Sequence, residues 1–379
     1  MNKKKILIVT RNLPPLIGGM ERLNWHIADE LGHENEILLL SHKDAQNTAP
    51  QNCNFYGVRL NPLPLFLITA FIKTFLICVV KKPDILFAGS GLTAPITVFW
   101  AKIFRKKSIV YIHGLDINND SILYRLIWIP FIKQASSIIC NSTPTQQLTL
   151  NQGVPSNKIT IIHPGVNYPA QTRNFALISE LTQKYQLENK KILLSIGRLT
   201  DRKGLLEFVS FSLPAIISRI PNTVLIIIGD TANNALNKKL QKKEDIILAA
   251  EKNNIRDHLI FTGSVHEDNL SSFYYLADAH VFPAKYIPND PEGFGMVAIE
   301  AAAHGKPTVA FAVGGIIDAI KHQESGYLIE KQDYQNMTQI VVQILEDKSL
   351  ISDKQCMQYA EQFAWYNLKN KFEKVIVNL

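Results

Sequence analysis

The chain has 379 residues, of which 46% are hydrophobic and 19% charged, and it carries a formal net charge of +7. This balance is typical of a globular protein, and the length predicts two domains, because a single core stops growing near about 250–300 residues. No zinc-finger spacing or other nucleic-acid module occurs, which excludes nucleic acid as the expected partner. The positive charge suits nucleotides, phosphates or anionic lipid, although a lysine-rich solvated surface explains it equally well.

The first predicted element is a β-strand. The apolar run Ile6–Val9 is too short for the apolar part of a signal peptide, and Arg11, Pro14 and Pro15 follow it closely. The four cysteines lie far apart, with no metal-ligand spacing and no disulfide framework. A cytoplasmic location is therefore predicted, with peripheral attachment to the inner face of the cell membrane as an addition. The cysteines are Cys53, Cys78, Cys140 and Cys356.

Short apolar, β-branched runs alternate with helical stretches, as in parallel sheets that helices cover on both faces. In the first half the runs are Ile6–Val9, Ile37–Leu40, Ile85–Ala88, Ser108–Ile112, Ser137–Cys140 and Lys158–Ile162. The pattern pauses over residues 167–189, which we interpret as a linker with one helical segment. It resumes with Ile192–Gly197, Val224–Ile228, Leu259–Phe261, His280–Phe282 and Thr308–Phe311. The predicted fold class is α/β, with two doubly wound units that bind ligands at the carboxyl ends of their strands.

Two apolar segments in the first half allow more than one interpretation. Leu65–Val80 is nearly all apolar but falls short of the roughly 20 residues that a membrane span needs, and Lys73 sits at its centre. It is either a core helix or a helix with an apolar face on a membrane surface. Ile122–Ile132 mixes aromatic and basic side chains, which suits a membrane interface or aromatic core packing.

The loop after the first strand contains Gly18 and Gly19, and a helical run begins at Met20. Glycines let a backbone approach a ligand closely, and a helix N-terminus favours anions. A tight turn is the simpler explanation of the same residues.

A second loop, residues 195–204, follows a predicted strand and precedes a helix. Arg198 and Lys203 emerge at the carboxyl end of the sheet, where a guanidinium and an ammonium together suit a diphosphate. Arg202 is expected to be a solvated charge.

The third motif, residues 291–305, is the most specific. A loop with two glycines leads into a segment of residues that strongly favour a helix. Gly305 and Pro307 end this predicted helix. Free N–H groups around Gly295–Val297 offer a site for a phosphate. Glu300 lies about 7.5 Å further along the helix axis. This spread suits a nucleotide sugar, with the sugar near one of the carboxylates Glu292 and Glu300 and the ribose near the other.

His113 and Asp116 follow the strand Ser108–Ile112. A histidine at the end of a parallel strand could donate to a sugar hydroxyl or stabilise developing charge. Asp116 could orient His113 or contact the acceptor. No Asp-x-Asp occurs in the chain, so no metal is predicted, and no lysine-bearing P-loop occurs.

With these motifs the chain resembles the family-4 retaining glycosyltransferases of the GT-B fold, as found in bacterial envelope-polysaccharide synthesis. The resemblance runs from residue 6 to the C-terminus. It rests on PPLIGGMER, SIGRLTDRKG, LADAHVFPA, PEGFGMVAIEAAAHGKPTVA, AVGGIIDAI and the tail FAWYNLKNKFEKVI. It implies two Rossmann-like domains facing a central cleft: residues 1–168 for the acceptor, residues 187–358 for the donor, and a C-terminal helix, residues 359–379, that crosses back to the first domain.

The resemblance also implies roles. Arg198 and Lys203 would hold the donor diphosphate, Glu292 the transferred sugar, Glu300 the ribose, and His113 the sugar at the reaction centre. Gly19 would lie against the donor, and Gly229 and Val265 would line the nucleobase pocket. The remaining residues expected at the donor are Gly18, Gly197, Gly293, Phe294, Gly295, Met296 and Val297.

The predicted activity is that of a hexosyltransferase which uses a UDP- or GDP-sugar and no metal or other cofactor, and which retains the anomeric configuration. The acceptor is expected to be a lipid-linked or envelope glycan. A catalytically silent nucleotide-sugar-binding scaffold, or another GT-B enzyme such as an epimerase or a phosphorylase, is the alternative. A Rossmann dehydrogenase is excluded, because no G-x-G-x-x-G follows the first strand.

Overall fold

The computed structural model describes residues 3–230, 241–347 and 349–379, and the chain divides into two compact units. One unit consists of Met1–Gly165 and Trp365–Leu379, and the other of Val166–Ala364. Residues 359–364, which the sequence grouped with the final helix, therefore lie in the second unit. Each unit is built on one parallel sheet, so the predicted fold class is confirmed.

The N-terminal unit contains a seven-stranded parallel sheet with the order β3-β2-β1-β4-β5-β6-β7. Its central strands are fully buried apolar runs, which is the pattern of a sheet covered on both faces. The chain order reverses between β1 and β4, so a crevice at their carboxyl ends is the place where such folds bind ligands. The strands are β1 (Lys5–Val9), β2 (Glu36–His42), β3 (Cys53–Val58), β4 (Ile85–Ala88), β5 (Lys107–Ile112), β6 (Ser137–Cys140) and β7 (Ile159–Ile161).

Helices cover both faces of this sheet. They are α1 (Gly19–Gly32), α2 (Leu63–Lys81), α3 (Ala94–Ile103), α4 (Ile122–Lys133), α5 (Thr143–Asn151) and, from the end of the chain, α15 (Trp365–Val377). Right-handed crossovers place α1 on one face and α2, α3 and α4 on the other. Consistent with this, α15 packs on α1, while α2 packs beside α3 and α3 beside α4.

Helix α2 is longer than the predicted segment, at 19 residues. It is the one helix in the described ranges that is long and apolar enough to cross a membrane by length and composition. Its buried side chains form one stripe and join the core of the unit, where they meet Leu7, Leu38 and Leu86. The prediction of a core helix is therefore correct for this stripe. The stripe consists of Phe66, Ala70, Thr74, Ile77 and Cys78.

The C-terminal unit contains a six-stranded parallel sheet with the order β10-β9-β8-β11-β12-β13, which reverses between β8 and β11. Its strands are β8 (Lys191–Ile196), β9 (Thr223–Ile228), β10 (Leu259–Gly263), β11 (Ala279–Phe282), β12 (Thr308–Phe311) and β13 (Gly326–Ile329). Its helices are α6 (Phe175–Lys184), α7 (Leu205–Glu207), α8 (Leu213–Arg219), α9 (Lys243–Lys252), α10 (Glu267–Leu276), α11 (Met296–Ala303), α12 (Ile316–Ala319), α13 (Tyr334–Glu346) and α14 (Asp353–Glu361). A π-helical turn, Phe208–Ser212, joins α7 to α8.

Two strands were missed in the sequence, β3 and β13. Both lie at the edge of their sheet and are only partly buried. An edge strand has one paired neighbour and does not need a continuous apolar run, so β3 lacks the pattern that predicted the central strands.

Candidate active site

The second and third sequence motifs meet at the point in the C-terminal unit where the strand order reverses. Gly197 and Arg198 follow β8, and the loop after β11 leads through Glu292 to α11. Because β8 and β11 are adjacent parallel strands, both loops leave the same edge of the sheet. Arg198 is exposed there. This is the position at which open α/β sheets bind their ligands.

A buried ion pair joins the two loops. Lys203 Nζ lies 3.0 Å from Glu292 Oε2, and the two side chains are only 15% and 11% exposed. The ammonium also lies 4.5 Å from the centre of the Phe282 ring, which is a cation–π contact. The turn that carries Lys203 ends at Gly204, whose φ is +67°. A Cβ at Gly204 would lie 2.0 Å from the carbonyl oxygen of Pro283, so only glycine fits between the loops.

Arg202 is not the solvated charge that the sequence suggested. Its side chain is 14% exposed and donates from Nη1 to the carbonyl oxygen of Pro291 over 2.9 Å. It also lies within ion-pair distance of two carboxylates, Asp290 at 3.8 Å and Glu292 at 3.7 Å. We call the segment between β11 and α11, which carries Asp290 and Glu292, the acidic loop. Arg202 therefore holds the backbone of the acidic loop and adds positive charge beside Glu292.

These cations change the acid–base properties of Glu292. Burial alone would raise the pKa of its carboxyl, but Arg202, Lys203 and, to the smallest extent, Arg198 outweigh burial and lower that pKa to about 2. The same burial lowers the pKa of the Lys203 ammonium, and Glu292 partly restores it. Each member of the pair thus keeps the other charged in a place that excludes water.

We expect this pair to make stability depend on pH in the acid range. The pKa of Glu292 falls from an ordinary value of 4.5 to about 2 on folding, so its stabilising contribution is complete above 4.5 and is lost as the pH falls toward 2. The full contribution is about 3 kcal/mol, since one pKa unit corresponds to about 1.4 kcal/mol. Denaturant unfolding of wild type and Glu292→Gln between these pH values should show the difference in unfolding free energy shrinking with acid. The exposed Glu330→Gln is the control, and an unchanged difference would contradict the expectation.

The N-terminus of α11 opens onto the same loop. Gly295 precedes the helix with φ +90°, and a Cβ there would lie 2.8 Å from Cε1 of Phe282. Glycine has no side chain with which to cap the helix, so the N–H groups of Met296 and Val297 are not bound by a cap. Gly293 is partly exposed in the loop, whereas Phe294 is buried in the core of the unit.

Gly314 and Gly315 pack against the loop that carries Glu292, and the sequence motifs had suggested no role for them. Gly315 N donates to the carbonyl oxygen of Glu292 over 2.8 Å. A Cβ on Gly314 would lie 2.4 Å from that oxygen, and one on Gly315 would lie 2.0 Å from the carbonyl oxygen of Gly293. The two glycines therefore support the acidic loop by backbone contact alone, and AVGG after β12 was the signal that could have identified them.

Gly315→Ala tests this support without a conformational penalty, because the φ of Gly315 is −72°, which alanine also adopts. The added methyl must displace the backbone of Gly293, so we expect a loss of about 1–3 kcal/mol of stability. For the nucleotide-sugar donor that the sequence predicts, we expect about tenfold to 100-fold weaker binding. Thermal shift with donor measures both. In the control Gly32→Ala, the new Cβ meets only the end of the Asn52 side chain, which can rotate. Donor binding as tight as in wild type would show that the loop does not depend on Gly315.

The second carboxylate of the motif, Glu300, lies on α11 and is buried. Its Oε2 accepts a hydrogen bond from the Tyr274 hydroxyl over 2.9 Å. Tyr274 stacks on the His304 ring, which hydrogen-bonds to Ser271 Oγ over 2.9 Å. Tyr274 and His304 therefore orient Glu300. Tyr274 could not be selected from the sequence because it lies 26 positions before Glu300. His304 lies four positions after Glu300, one helical turn away, and that spacing was the signal that could have identified it.

Three glycine-bearing loops lie side by side after β8, β9 and β10. Gly197 and Gly229 both have positive φ, and a Cβ on Gly229 would lie 2.1 Å from the carbonyl oxygen of Gly197. Gly229 N donates to the carbonyl oxygen of Gly263 over 3.0 Å. Next to them, Asp230 accepts a hydrogen bond from Ser264 N, and Val265 is half-buried. Main-chain atoms, rather than side chains, therefore form most of the sheet edge that follows β8, β9 and β10.

In the N-terminal unit, the loop after β1 places an acid where the sequence suggested donor contacts. Gly18 precedes α1 and Gly19 begins it. Glu21 Oε1 accepts a hydrogen bond from Asn12 Nδ2 over 2.7 Å, and Oε2 lies 2.3 Å from where a Cβ of Gly18 would be. A carboxylate already occupies this helix N-terminus, so a phosphate approaching Gly18 would meet a negative charge.

His113 and Asp116 lie in the loop after β5 and contact the loop after the neighbouring strand β4. His113 Nε2 lies 2.9 Å from the carbonyl oxygen of Gly89, which can only accept, so Nε2 carries the proton. In the neutral ring Nδ1 is then an acceptor rather than a donor. The Asp116 oxygens accept from His113 N and Gly91 N, each over 2.8 Å. Asp116 thus fixes the His113 backbone and ties two loops together.

Comparison with known proteins agrees with this architecture. The profile of Glycosyl transferases group 1 matches residues 178–363, and that of Glycosyltransferase Family 4 matches residues 17–168. The chain is 24% identical over 388 residues to the uncharacterized glycosyltransferase MJ1607 of Methanocaldococcus jannaschii, covering 96% of this chain and 95% of that protein. It is 23% identical over 356 residues to the GDP-mannose-dependent alpha-(1-6)-phosphatidylinositol monomannoside mannosyltransferase of Mycobacterium tuberculosis, covering 91% and 90%.

Solved structures share the fold. The structure of Anabaena Alr3699/HepE in complex with UDP-glucose superposes with a TM-score of 0.77 at 18% identity, covering 99% of this chain and 100% of that one. Sucrose-phosphate synthase from Thermosynechococcus elongatus gives a TM-score of 0.81 at 18% identity, covering 100% and 99%. The fold and the matches define a glycosyltransferase of the GT-B class, an enzyme of EC 2.4. The chain belongs to the family-4 glycosyltransferases, as its motifs predicted.

Proposed function

We propose that the protein transfers a hexose from a UDP- or GDP-sugar to a hydroxyl acceptor with retention at the anomeric carbon and without a metal ion. The observation that carries the proposal is the buried pair of Lys203 and Glu292, 3.0 Å apart, where the strand order of the C-terminal sheet reverses. One cation for a leaving phosphate and one carboxylate for sugar hydroxyls thus stand together beside the N-terminus of α11.

Two kinds of donor are consistent with the relatives. The mycobacterial relative is named for GDP-mannose, and the Anabaena structure contains UDP-glucose. In this chain the base would rest against the backbone of Gly197 and Gly229 beside Val265, and the ribose hydroxyls would bind the Glu300 carboxylate. The hydrogen bond from the Tyr274 hydroxyl supports this role, because it fixes the position of that carboxylate.

Arg198, Lys203 and the free N–H groups of Met296 and Val297 would neutralise the leaving diphosphate, because preorganised donors act strongly where water is excluded. The bond between the anomeric carbon and the diphosphate oxygen breaks first. The acceptor oxygen then attacks from the same face, and its proton passes to an oxygen of the departing phosphate.

The other assignments follow from side-chain chemistry. Glu292 would accept hydrogen bonds from hydroxyls of the transferred sugar. His113, protonated on Nε2, would present the Nδ1 lone pair to a sugar hydroxyl or to the developing positive charge. The acceptor would be a lipid-linked or envelope glycan at the inner face of the cell membrane.

A panel of UDP-, GDP- and ADP-sugars tests the proposal. A bound donor must raise the thermal midpoint, and transfer must release the nucleotide. We expect one donor to do both, with a product that keeps the anomeric configuration by NMR and activity that survives EDTA. An inverted product would overturn retention. Activity abolished by EDTA and restored by Mg²⁺ or Mn²⁺ would overturn metal independence. Binding without any nucleotide release, with glycan acceptors present, would favour a silent scaffold.

A further inference from the structure

Exposed apolar side chains are concentrated on three helices of the N-terminal unit. Twenty-two large hydrophobic residues are exposed in the described part of the chain, and eleven of them lie on α2, α3 and α4. Monomeric proteins rarely expose contiguous apolar patches of this kind, so such a surface marks an interaction site. We call these eleven the apolar face: Ile68, Ile72, Phe75, Leu76, Val79, Val80, Ile103, Ile122, Leu123, Leu126 and Ile127.

Helix α2 is apolar on two opposite sides. The stripe that begins at Phe66 faces the core, as described above. A second stripe, from Ile68 to Val80, recurs with the same helical spacing and remains exposed. Residues two apart on a helix point in nearly opposite directions, since each residue advances by about 100°. Core packing explains only the first stripe, so the second needs another partner.

Side-chain contacts join the three helices into one layer. Trp100 of α3 donates from Nε1 to the carbonyl oxygen of Phe71 in α2 over 3.0 Å. Trp128 of α4 donates from Nε1 to the carbonyl oxygen of Leu92, just before α3, over 2.9 Å. Both indole rings are half-buried. Tryptophans with an apolar body and a bonded N–H are typical of membrane interfaces.

The charges on the three helices that carry the apolar face have one sign. Helices α2, α3 and α4 contain no Asp or Glu, but they contain Lys73, Lys81, Lys102, Arg125 and Lys133. Adjoining residues, in the loops and at the start of β5, add further cations at the amino edge of the sheet. These are Lys82, Arg105, Lys106 and Lys107, of which Lys106 pairs with Asp84.

We infer that the apolar face binds the surface of an anionic lipid bilayer. Its aliphatic side chains would enter the boundary between headgroups and acyl chains, and the surrounding lysines and arginines would meet the negative headgroups. A second copy of the chain is the less suitable occupant, because a two-fold interface would bring identical cations together without an acid on these helices.

The apolar face reaches the predicted acceptor side of the N-terminal unit. Helix α4 follows the loop of His113, and the Tyr124 hydroxyl donates to the carbonyl oxygen of Asp116 over 3.0 Å. Ile122, Leu123 and Leu126, each more than 60% exposed, begin this helix. A membrane against them would present a lipid-linked hydroxyl beside that loop, a consequence that rests on the proposed function.

Co-sedimentation of the full chain with vesicles tests the inference. The probes are vesicles of phosphatidylcholine with and without phosphatidylglycerol, at low and high salt. The variants are Ile72→Glu with Leu76→Glu on α2, and Leu123→Glu with Leu126→Glu on α4. The matched control, Phe211→Glu with Leu248→Glu, changes exposed apolar residues of the C-terminal unit. We expect wild type and control to sediment with the anionic vesicles, more weakly at high salt, and each variant on the face to bind at least about tenfold less.

Variants that bind like wild type, or a wild type that fails to sediment at any ionic strength, would overturn the inference. A dimer that forms without vesicles and dissociates in both face variants would assign the face to a second copy instead. Nucleotide release from donor in vesicle-free solution separates this test from the proposed function. The variants of the apolar face should still release nucleotide in vesicle-free solution. A wild type that binds vesicles but releases no nucleotide would contradict only the proposed function.

Discussion

Replacing Glu292 with glutamine is expected to lower the rate of sugar transfer by about 10²- to 10³-fold, the range seen when one preorganised electrostatic group is removed from an active site. Glutamine keeps the shape of the side chain but removes the charge that pairs with Lys203 at 3.0 Å. It also replaces one strong acceptor for sugar hydroxyls with an amide N–H₂. Steady-state nucleotide release, measured over a range of donor concentrations, gives the effect on kcat and kcat/KM.

The matched control is Glu330→Gln, an exposed acid of the same unit, which should leave both constants unchanged. Thermal unfolding without donor shows whether Glu292→Gln is folded at the assay temperature. A folded Glu292→Gln enzyme whose kcat stays within about threefold of wild type would remove Glu292 from the reaction.

Lys203→Met is expected to have a comparable effect for a different reason. Methionine fills the slot above the Phe282 ring but removes the cation that would stabilise the leaving diphosphate. We expect kcat to fall by about 10²- to 10³-fold and donor affinity by about tenfold. The fold should persist, because Arg202 still lies 3.7 Å from Glu292 and compensates its charge. Lys203→Arg should not restore full activity, since the larger planar guanidinium would have to displace groups that lie close to the Lys203 side chain, Gly197 and the Phe282 ring.

The exposed Lys354→Met on α14 is the control for this variant. Comparing donor-induced thermal shift with turnover at saturating donor separates two roles of Lys203. Weaker donor binding with unchanged turnover would mean that Lys203 binds the ground state only and does not stabilise the leaving group.

The sequence predicted the buried central strands of both sheets and missed two of the four edge strands, β3 and β13. Strands such as Thr308–Phe311 are buried on both faces, so their apolar runs carry the information locally. Strand β3 has one neighbour and a partly exposed face, and its pairing with β2 depends on residues that are distant in the chain. The pattern of apolar residues within a short segment contains no information about such a distant pairing partner.

The candidate site shows the same division. Residues 291–305 and the pair Arg198 and Lys203 were found because turn chemistry and helix formation are local properties. The ion pairs of Arg202 were not, because its partners in the acidic loop lie almost 90 positions away. From sequence alone, a cation in a turn looks solvated. Only the tertiary fold shows that this one is buried beside Glu292.

Under the proposed function, the backbone-built edge at Gly197, Gly229 and Gly263 has a consequence for engineering the enzyme toward another donor. Side chains cannot be introduced at Gly229, because a methyl group there would meet the carbonyl oxygen of Gly197 at 2.1 Å. Mutational libraries aimed at base selectivity should leave the glycines fixed and vary Ser264 and Val265, whose side chains are free of that restriction. Evolutionary substitutions along this edge should likewise be confined to the residues next to the three glycines.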